Sequence, residues 1–196
     1  MIDGDVLPVE FYRRDSRVLA KQLLNKVLVH GDRAGRIVEV EAYCGAIDAG
    51  SHAYRGRNNK NATMFEGPGL LYVYFTYGMH WCANAVCGDV GSGTAVLLRA
   101  LAPLEGLDEM RVRRGPKATR DRDLCSGPAK LCQALSLDKA HDGANLVSGD
   151  RGVTIVDDGV RPPRSPGNSV RIGLNEGAEH PWRWYVRGEP NLSRRG

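Results

Sequence analysis

Apolar and polar residues alternate along several stretches of the chain, which is the pattern of strands that pack on a core. Such stretches, rich in β-branched and aromatic residues, predict strands at 26–30, 36–43, 70–76, 80–87 and 94–101. Turn-forming residues lie between the first two strands, and short glycine-containing turns lie between the last three. This order predicts a hairpin followed by an antiparallel meander.

Helices are predicted where apolar residues recur at three- and four-residue spacing behind a capping residue. Asp15 or Ser16 can cap a first helix, residues 105–114 form a second, and Pro128 opens a third. Shorter strands are expected at 152–156, 170–174 and 183–186. We therefore expect a mixed α/β fold with a curved, mostly antiparallel sheet, surrounding helices and a protruding hairpin near Tyr77.

The chain has 196 residues, enough for one sizeable core but few for two domains. We expect a single domain over 1–196, with short flexible tails at about 1–7 and 191–196. No apolar run approaches the roughly 18 residues of a membrane span, so no membrane association is expected. The amino terminus lacks a secretory pattern, which predicts an intracellular location where the five cysteines stay reduced and buried.

Basic residues change this picture little. The net charge is +4 and the isoelectric point is about 8.9, which permits a polyanionic partner without requiring one. Arginines and lysines cluster within 111–122, but such clusters are often solvated helix faces and loops. Charge alone does not identify the partner.

Residues 44–69 form a long polar stretch without sustained periodicity, which predicts a loop. Long loops inside a compact domain are uncommon unless they carry function, so this loop is a candidate part of a binding site. His52 lies within it, although a lone histidine is more often a hydrogen-bonded surface residue than a catalytic one.

Two carboxylates share one face of the strand at 36–43. The period of two places Glu39 and Glu41 with Ile37 and Tyr43, opposite the face that carries Val38, Val40 and Ala42. A half-buried strand whose polar face meets water explains this pattern, and so does one glutamate acting as a general base beside a tyrosine. The pattern does not choose between them.

Tyr72 and Tyr74 lie on one face of the strand at 70–76, which is also the pattern of a tyrosine-rich core. Tyr77, just before the Gly78-Met79 turn, is harder to explain in that way. A large aromatic side chain at a hairpin tip can wedge into a base stack and fill the gap of an extruded nucleotide.

Two other kinds of site are weakly supported. His80, Cys82 and Cys87 suggest zinc, but paired C-x-x-C spacing is absent and strand alternation separates the two cysteines. Gly91-Ser92-Gly93 suggests a nucleotide loop, but a strand follows it where a phosphate-binding loop requires a helix. We therefore expect no metal.

A series of motifs runs through nearly the whole chain, from about Pro8 to Pro190. They are Arg36-Ile37-Val38-Glu39-Val40-Glu41-Ala42-Tyr43, His52, Met64-Phe65, the run from Pro68-Gly69 to Gly78-Met79, Asn84, the run from Val96 to Leu101, Pro103-Leu104-Glu105-Gly106, the run from Asp123 to Leu135, and Trp184-Tyr185-Val186-Arg187-Gly188. Together and in this order they resemble the alkyladenine (3-methyladenine) DNA glycosylase family, in a compact form similar to bacterial members.

The resemblance implies a role for each matching residue. Glu41 is implied to be the carboxylate that activates water, and Glu39 to be structural. The residues implied to line the pocket of the flipped base are Tyr43, His52, Tyr74 and Asn84, with Asn84 discriminating against normal guanine. The residues implied to bind nucleotide or DNA are Tyr77, Met79 and Arg99, with Tyr77 inserting into the minor groove and Arg99 at the pocket edge.

The reaction implied is base-excision repair. A monofunctional enzyme flips a purine of the 3-methyladenine, 7-methylguanine, hypoxanthine or ethenoadenine class out of duplex DNA and hydrolyses its N-glycosidic bond, leaving an abasic site. Aromatic faces favour cationic alkylated purines, and a carboxylate stabilises the positive charge on the sugar as the base departs. The resemblance implies a monomer with damaged double-stranded DNA as its partner, without cofactor, in the bacterial cytoplasm near the nucleoid.

One segment departs from the family pattern. Residues 57–63 read Arg-Asn-Asn-Lys-Asn-Ala-Thr in place of the more usual Thr-Pro-Arg-Asn, so DNA-backbone contacts there are not carried over. Two other functions stay open. A non-catalytic nucleic-acid-binding module would use the same basic and aromatic residues, and a hydrolase of free nucleosides would need Glu41 but have little use for Tyr77.

Overall fold

The secondary structure follows from a computed structural model that describes residues 2–76 and 78–194. The strands are β1 (Asp5–Val6), β2 (Val27–His30), β3 (Arg33–Cys44), β4 (Leu70–Thr76), β5 (His80–Cys87), β6 (Thr94–Glu105), β7 (Ala144–Asn145), β8 (Val153–Asp157), β9 (Gly167–Ser169) and β10 (Arg183–Tyr185). The helices are α1 (Val9–Tyr12), α2 (Ser16–Leu23), α3 (Leu107–Arg114) and α4 (Pro128–Leu135). Over these two ranges, no helix combines the length and apolar character needed to cross a membrane.

One curled antiparallel sheet organises the molecule. Its strands follow the order β1-β8-β2-β3-β6-β5-β4-β7, and β10 pairs with both β3 and β9. The predicted mixed α/β fold and the meander of β4, β5 and β6 are confirmed. Strand β3 has β6 along one edge and first β2, then β10, along the other, so its middle lies deep in the sheet.

The alternation expected for β3 is wrong in one respect. Ile37 was placed on the face of the glutamates, yet it lies in the main core together with Val40 and Ala42. The pairing of β3 with β6 shifts at three places, because Val38 is an extra residue on β3 and Leu104 and Arg99 are extra residues on β6. The bulge at Val38 reverses the alternation between residues 37 and 40.

The explanation of the polar face by contact with water is also wrong. Glu39 and Glu41 have no exposed surface. Since a buried charge is costly unless it is paired and hydrogen-bonded, the sheet supplies each carboxylate with donors.

The structure decides between the two predicted caps of one helix and differs from the prediction elsewhere. Helix α2 is capped by Asp15, whose side chain accepts the Arg17 amide at 2.9 Å. Residues 170–174 are irregular, and the strand expected there lies earlier, at β9. Near the termini, β1 pairs with β8 and the Ser193 amide bonds to Glu39; the single domain and its flexible tails stay predictions.

Candidate active site

The carboxylate of Glu41 is held by two hydrogen bonds and one ion pair. Its Oε1 accepts the backbone amide of Ile172 at 2.8 Å and lies 3.2 Å from Nη1 of Arg99. Its Oε2 accepts the hydroxyl of Tyr43 at 3.0 Å. Burial raises the pKa of Glu41, while Arg99, the Ile172 amide and the Tyr43 hydroxyl act in the opposite direction. The result is a fixed carboxylate that retains a lone-pair site on Oε2.

Glu39 has a different set of partners. Its Oε1 accepts from Nε of Arg99 at 3.0 Å, Nε of Arg183 at 2.7 Å and the Ser193 hydroxyl at 2.7 Å. Its Oε2 accepts the Ser193 amide at 2.6 Å. These are contacts to strand β10 and to the carboxyl-terminal segment, and they tie Glu39 into the fold.

Arg99 lies between the two glutamates, on the bulge of β6. Its Nε and Nη1 reach one carboxylate each, and its Nη2 donates to the Ser193 hydroxyl at 3.2 Å. The family resemblance implies that Arg99 lies at the nucleotide-binding edge of the pocket; in the structure the side chain is 8% exposed and contacts the carboxylates directly. Any contact of Arg99 with a nucleotide stays a prediction.

The other expected pocket residues come together around a small cavity. Tyr43, His52, Tyr74 and Asn84 all line it, and its remaining walls are Gly50, Met64, Tyr72 and Leu174. The rings of Tyr72 and Tyr74 stack at 5.4 Å, and the His52 ring meets Tyr74 edge-on at 4.4 Å. Asn84 is fixed by donating from Nδ2 to the Tyr72 carbonyl at 3.1 Å. The arrangement is a hydrogen-bonded aromatic slot.

Burial keeps the polar groups of this slot neutral. It lowers the pKa of His52 and raises those of Tyr43 and Tyr74, so at neutral pH the imidazole is uncharged and both phenols are protonated. Nδ1 of His52 and the Tyr72 hydroxyl are hydrogen-bonded at 3.0 Å. The side chains that line the slot therefore offer aromatic faces and neutral donors and acceptors.

The cavity is small in this conformation. Its volume is about 60 Å³, less than half of the roughly 150 Å³ of an engineered cavity that holds benzene. A larger groove of about 700 Å³ adjoins it, sharing His52, Tyr72 and Tyr74 and extending to residues 58–61, Trp81 and Lys139. A bicyclic base enters the slot only if lining side chains move.

The predicted wedge, Tyr77, lies outside the described residues. The hairpin that carries it has the predicted bounds, with Thr76 of β4 opposite His80 of β5. At its end Met79 is 67% exposed, and Phe75 is also exposed where it meets Trp81 at 4.7 Å. The hairpin thus presents apolar side chains to solvent, which is unusual for large apolar residues unless they bind something.

Sequence reasoning missed the segment 171–174. The amide of Ile172 bonds to Glu41, Leu174 lines the cavity, and Arg171 forms a buried ion pair with Asp48. Val170 and Ile172 belong to a stretch whose pattern predicts a strand, so the sequence indicates regular structure there. An arginine and an aspartate 123 residues apart gave no local sign that they meet.

The basic cluster at 111–122 is partly neutralised by nearby carboxylates. Arg111 pairs with Asp108 and Asp121 at 2.5 Å each, and Arg120 pairs with Asp123 at 3.0 Å. Within residues 2–76 and 78–194, no three histidine, cysteine or acidic side chains lie together in a group that could hold a metal ion.

The chain is similar to known proteins over nearly its whole length. The family model for methylpurine-DNA glycosylase matches residues 10–190. A protein of Burkholderia lata named "Putative 3-methyladenine DNA glycosylase" is 56% identical over 97% of this chain and 92% of its own length. Proteins with the same name from Streptomyces avermitilis and Chlorobaculum tepidum are 43% and 42% identical over at least 96% of this chain. The buried glutamate and its aromatic slot thus occur in a chain that belongs to the methylpurine-DNA glycosylase family.

Proposed function

We propose that this protein is a DNA repair glycosylase that excises alkylated or deaminated purines from duplex DNA, with Glu41 directing the attacking water. The observation that carries the proposal is the Glu41 carboxylate, which is buried, held by two hydrogen bonds and an ion pair, and joined to the aromatic slot through Tyr43. Family membership and the names of the relatives support the same activity.

The slot suits recognition of a flipped purine. A base inside a duplex is unreachable, so it must be extruded and then recognised by stacking and by contacts to its edges. Tyr43 and Tyr74 offer rings for stacking, His52 offers a neutral ring nitrogen, and Asn84 lies on the wall where its size and amide limit the groups a base can carry. Cationic alkylated purines gain further from the electron-rich rings.

Glu41 serves two steps of the hydrolysis. As the base departs, positive charge develops on the sugar, and an ionised carboxylate in a water-poor site stabilises that charge. Its Oε2 orients a water molecule for attack on the sugar carbon and accepts the proton that this water loses. The departing base takes the electron pair of the broken bond, and an abasic site remains.

The experiment compares wild type with Glu41→Gln on duplexes that carry one hypoxanthine or ethenoadenine, and on methylated duplex DNA. Released base and alkali-labile sites are measured, together with duplex affinity. We expect Glu41→Gln to abolish release while binding is retained. Glu109→Gln, an exposed glutamate on α3, is the matched control and should behave as wild type.

Two results separate this proposal from its alternatives. A wild type that binds lesion duplexes but releases nothing from any of them is a non-catalytic damaged-DNA-binding module. Release from free nucleosides rather than duplexes indicates a nucleoside hydrolase. The minor-groove insertion by Tyr77, the DNA contacts of Met79 and Arg99, the monomeric state and the intracellular location stay predictions.

A further inference from the structure

Arg171 and Asp48 form a buried ion pair near Glu41, and neither residue belongs to the motifs that carry the family resemblance. Nη1 and Nη2 of Arg171 meet Oδ2 and Oδ1 of Asp48 at 2.6 and 2.7 Å, and both side chains are fully buried. The same two nitrogens donate to the carbonyls of Ala42 at 3.0 Å and Gly177 at 2.8 Å. This forked geometry fixes the guanidinium in one orientation.

Asp48 extends the pair into the loop that carries His52. Its Oδ2 also accepts the Cys44 amide and its Oδ1 the Gly50 amide, both at 3.0 Å. The first turn after β3 and the irregular segment at 170–177 are therefore joined through one carboxylate and one guanidinium. Burying two charges costs free energy of desolvation even when they are paired, so packing alone does not explain this ion pair.

The guanidinium also lies against the slot. Its central carbon is 4.7 Å from the centre of the Tyr43 ring and 5.0 Å from that of Trp182. One face of Tyr43 is thus covered by Arg171, which leaves the other face for a base. The ring is held in the orientation in which its hydroxyl donates to Glu41.

The next residues of the chain reach the reacting groups. The Ile172 amide donates to Oε1 of Glu41 at 2.8 Å, and Leu174 is part of the cavity wall. Since residues 171–174 have no regular secondary structure, the ion pair at Arg171 is a strong local restraint on where this amide points.

We propose that Arg171 is a positioning residue, which through Asp48 holds the Ile172 amide on Glu41 and orients Tyr43. This inference rests on the proposed function of Glu41. The amide stabilises the ionised form of the Glu41 carboxylate. The ion pair between Arg171 and Asp48 therefore helps Glu41 to ionise, and so to direct water, although burial favours its neutral form.

The test uses Arg171→Lys and Asp48→Asn, which break the fork from either end, so that the second variant serves if the first does not fold. The matched controls are Arg36→Lys and Asp158→Asn, since Arg36 and Asp158 form another forked pair, at 3.1 and 2.6 Å, elsewhere on the sheet. Folding of every variant is checked by circular dichroism, and duplex affinity and single-turnover release are measured as functions of pH.

For Arg171→Lys and Asp48→Asn we expect release to fall about 100-fold at neutral pH with duplex affinity within about threefold of wild type. The acid limb of the pH profile moves to higher pH, because loss of the amide donor raises the pKa of Glu41 and more alkaline solution is needed to ionise it. The controls keep the wild-type limb. A wild-type limb in both site variants, or an equal shift in the controls, overturns the inference.

A second readout separates this inference from the proposed function. The Glu41 carboxyl carbon is titrated by nuclear magnetic resonance in wild type and in both site variants, with Glu41→Gln assigning the signal. An upward shift of its pKa in the variants supports positioning by Arg171 even if wild type releases no base, and an unchanged titration overturns it even if wild type is active.

Discussion

Glu39 and Glu41 differ in the side chains that surround them. They lie two positions apart on one strand and both are fully buried. Glu39 is surrounded by Arg99, Arg183 and Ser193, whereas Glu41 shares a tyrosine hydroxyl with the slot. The first carboxylate stabilises the fold, and the second is the group proposed to do chemistry.

This contrast predicts that the same substitution changes the free energy of unfolding by different amounts at the two positions. Glu39→Gln leaves the buried guanidinium of Arg183 without its carboxylate and should lower the free energy of unfolding by about 3–5 kcal/mol. Glu41→Gln should change it by less than about 1 kcal/mol at neutral pH, because burial raises the pKa of Glu41 and its ionised form is already costly.

The pH dependence gives this prediction its sign. A carboxyl whose pKa is higher in the folded state contributes stability at low pH and loses it as the pH rises through the folded value. The difference between wild type and Glu41→Gln should therefore move in favour of the variant from acid to neutral pH. Urea unfolding at several pH values measures it, and equal losses for the two substitutions would contradict the assignment.

The sequence alone showed these two glutamates as equivalent. Alternation puts both on one face, and only the resemblance to known glycosylases singled out Glu41. The physical difference between them comes from Arg183, Ser193 and Ile172, all more than 130 positions further along the chain. Local pattern contains no record of such long-range contacts.

At the scale of elements, prediction was accurate where local chemistry decides. The bounds of β4 and β5 were predicted as observed, because aromatic and β-branched runs meet at a glycine turn. The apolar residues of 170–174 predict a strand, but this segment is irregular. Arg171 pairs with the buried Asp48, and the Ile172 amide donates to the Glu41 carboxylate instead of to a neighbouring strand. The bulges at Val38 and Arg99 likewise depend on the pairing of two strands.

The carboxyl-terminal segment yields a prediction at this scale. A chain that ends at Pro190 loses the two hydrogen bonds from Ser193 to Glu39 and the Arg194 carbonyl that accepts from Arg183. Bonds to a charged group contribute about 1.5–3 kcal/mol each, so we expect a loss of about 3 kcal/mol or more in stability.

Base release by this truncated chain should fall as well, since Arg99 is positioned by the same network. A chain that ends at Arg194 keeps these contacts and is the control. Thermal unfolding and single-turnover release measure both effects, and wild-type behaviour of the chain ending at Pro190 would show that the segment is dispensable.

At the scale of the whole molecule, charge is distributed differently from its order in the sequence. Arg111 and Arg120 lie in the most basic stretch of the chain, yet carboxylates nearby pair with both. Lys60, outside that stretch, lines the large groove that adjoins the slot. We therefore expect a cation beside the slot to contribute more to DNA binding than the paired arginines of the basic stretch.

This placement predicts different salt dependence for two substitutions. Lys60→Gln should weaken duplex binding for every sequence and reduce the slope of log affinity against log salt by about 1, since one phosphate contact is lost. Arg111→Gln removes a cation that is already paired and should leave the slope unchanged. Fluorescence anisotropy titrations from low to moderate salt measure both, and equal slopes for the two variants would refute the placement.

The five cysteines affect how readily the protein itself is alkylated. All are buried and unpaired, and burial raises the pKa of each, to about 12 for Cys87 and Cys125. Electrophiles attack the thiolate rather than the thiol, so these sulfurs react slowly. The reagents that methylate purines also methylate exposed thiolates. Because its five thiols are buried and protonated, the protein should resist methylation by the reagents that damage DNA.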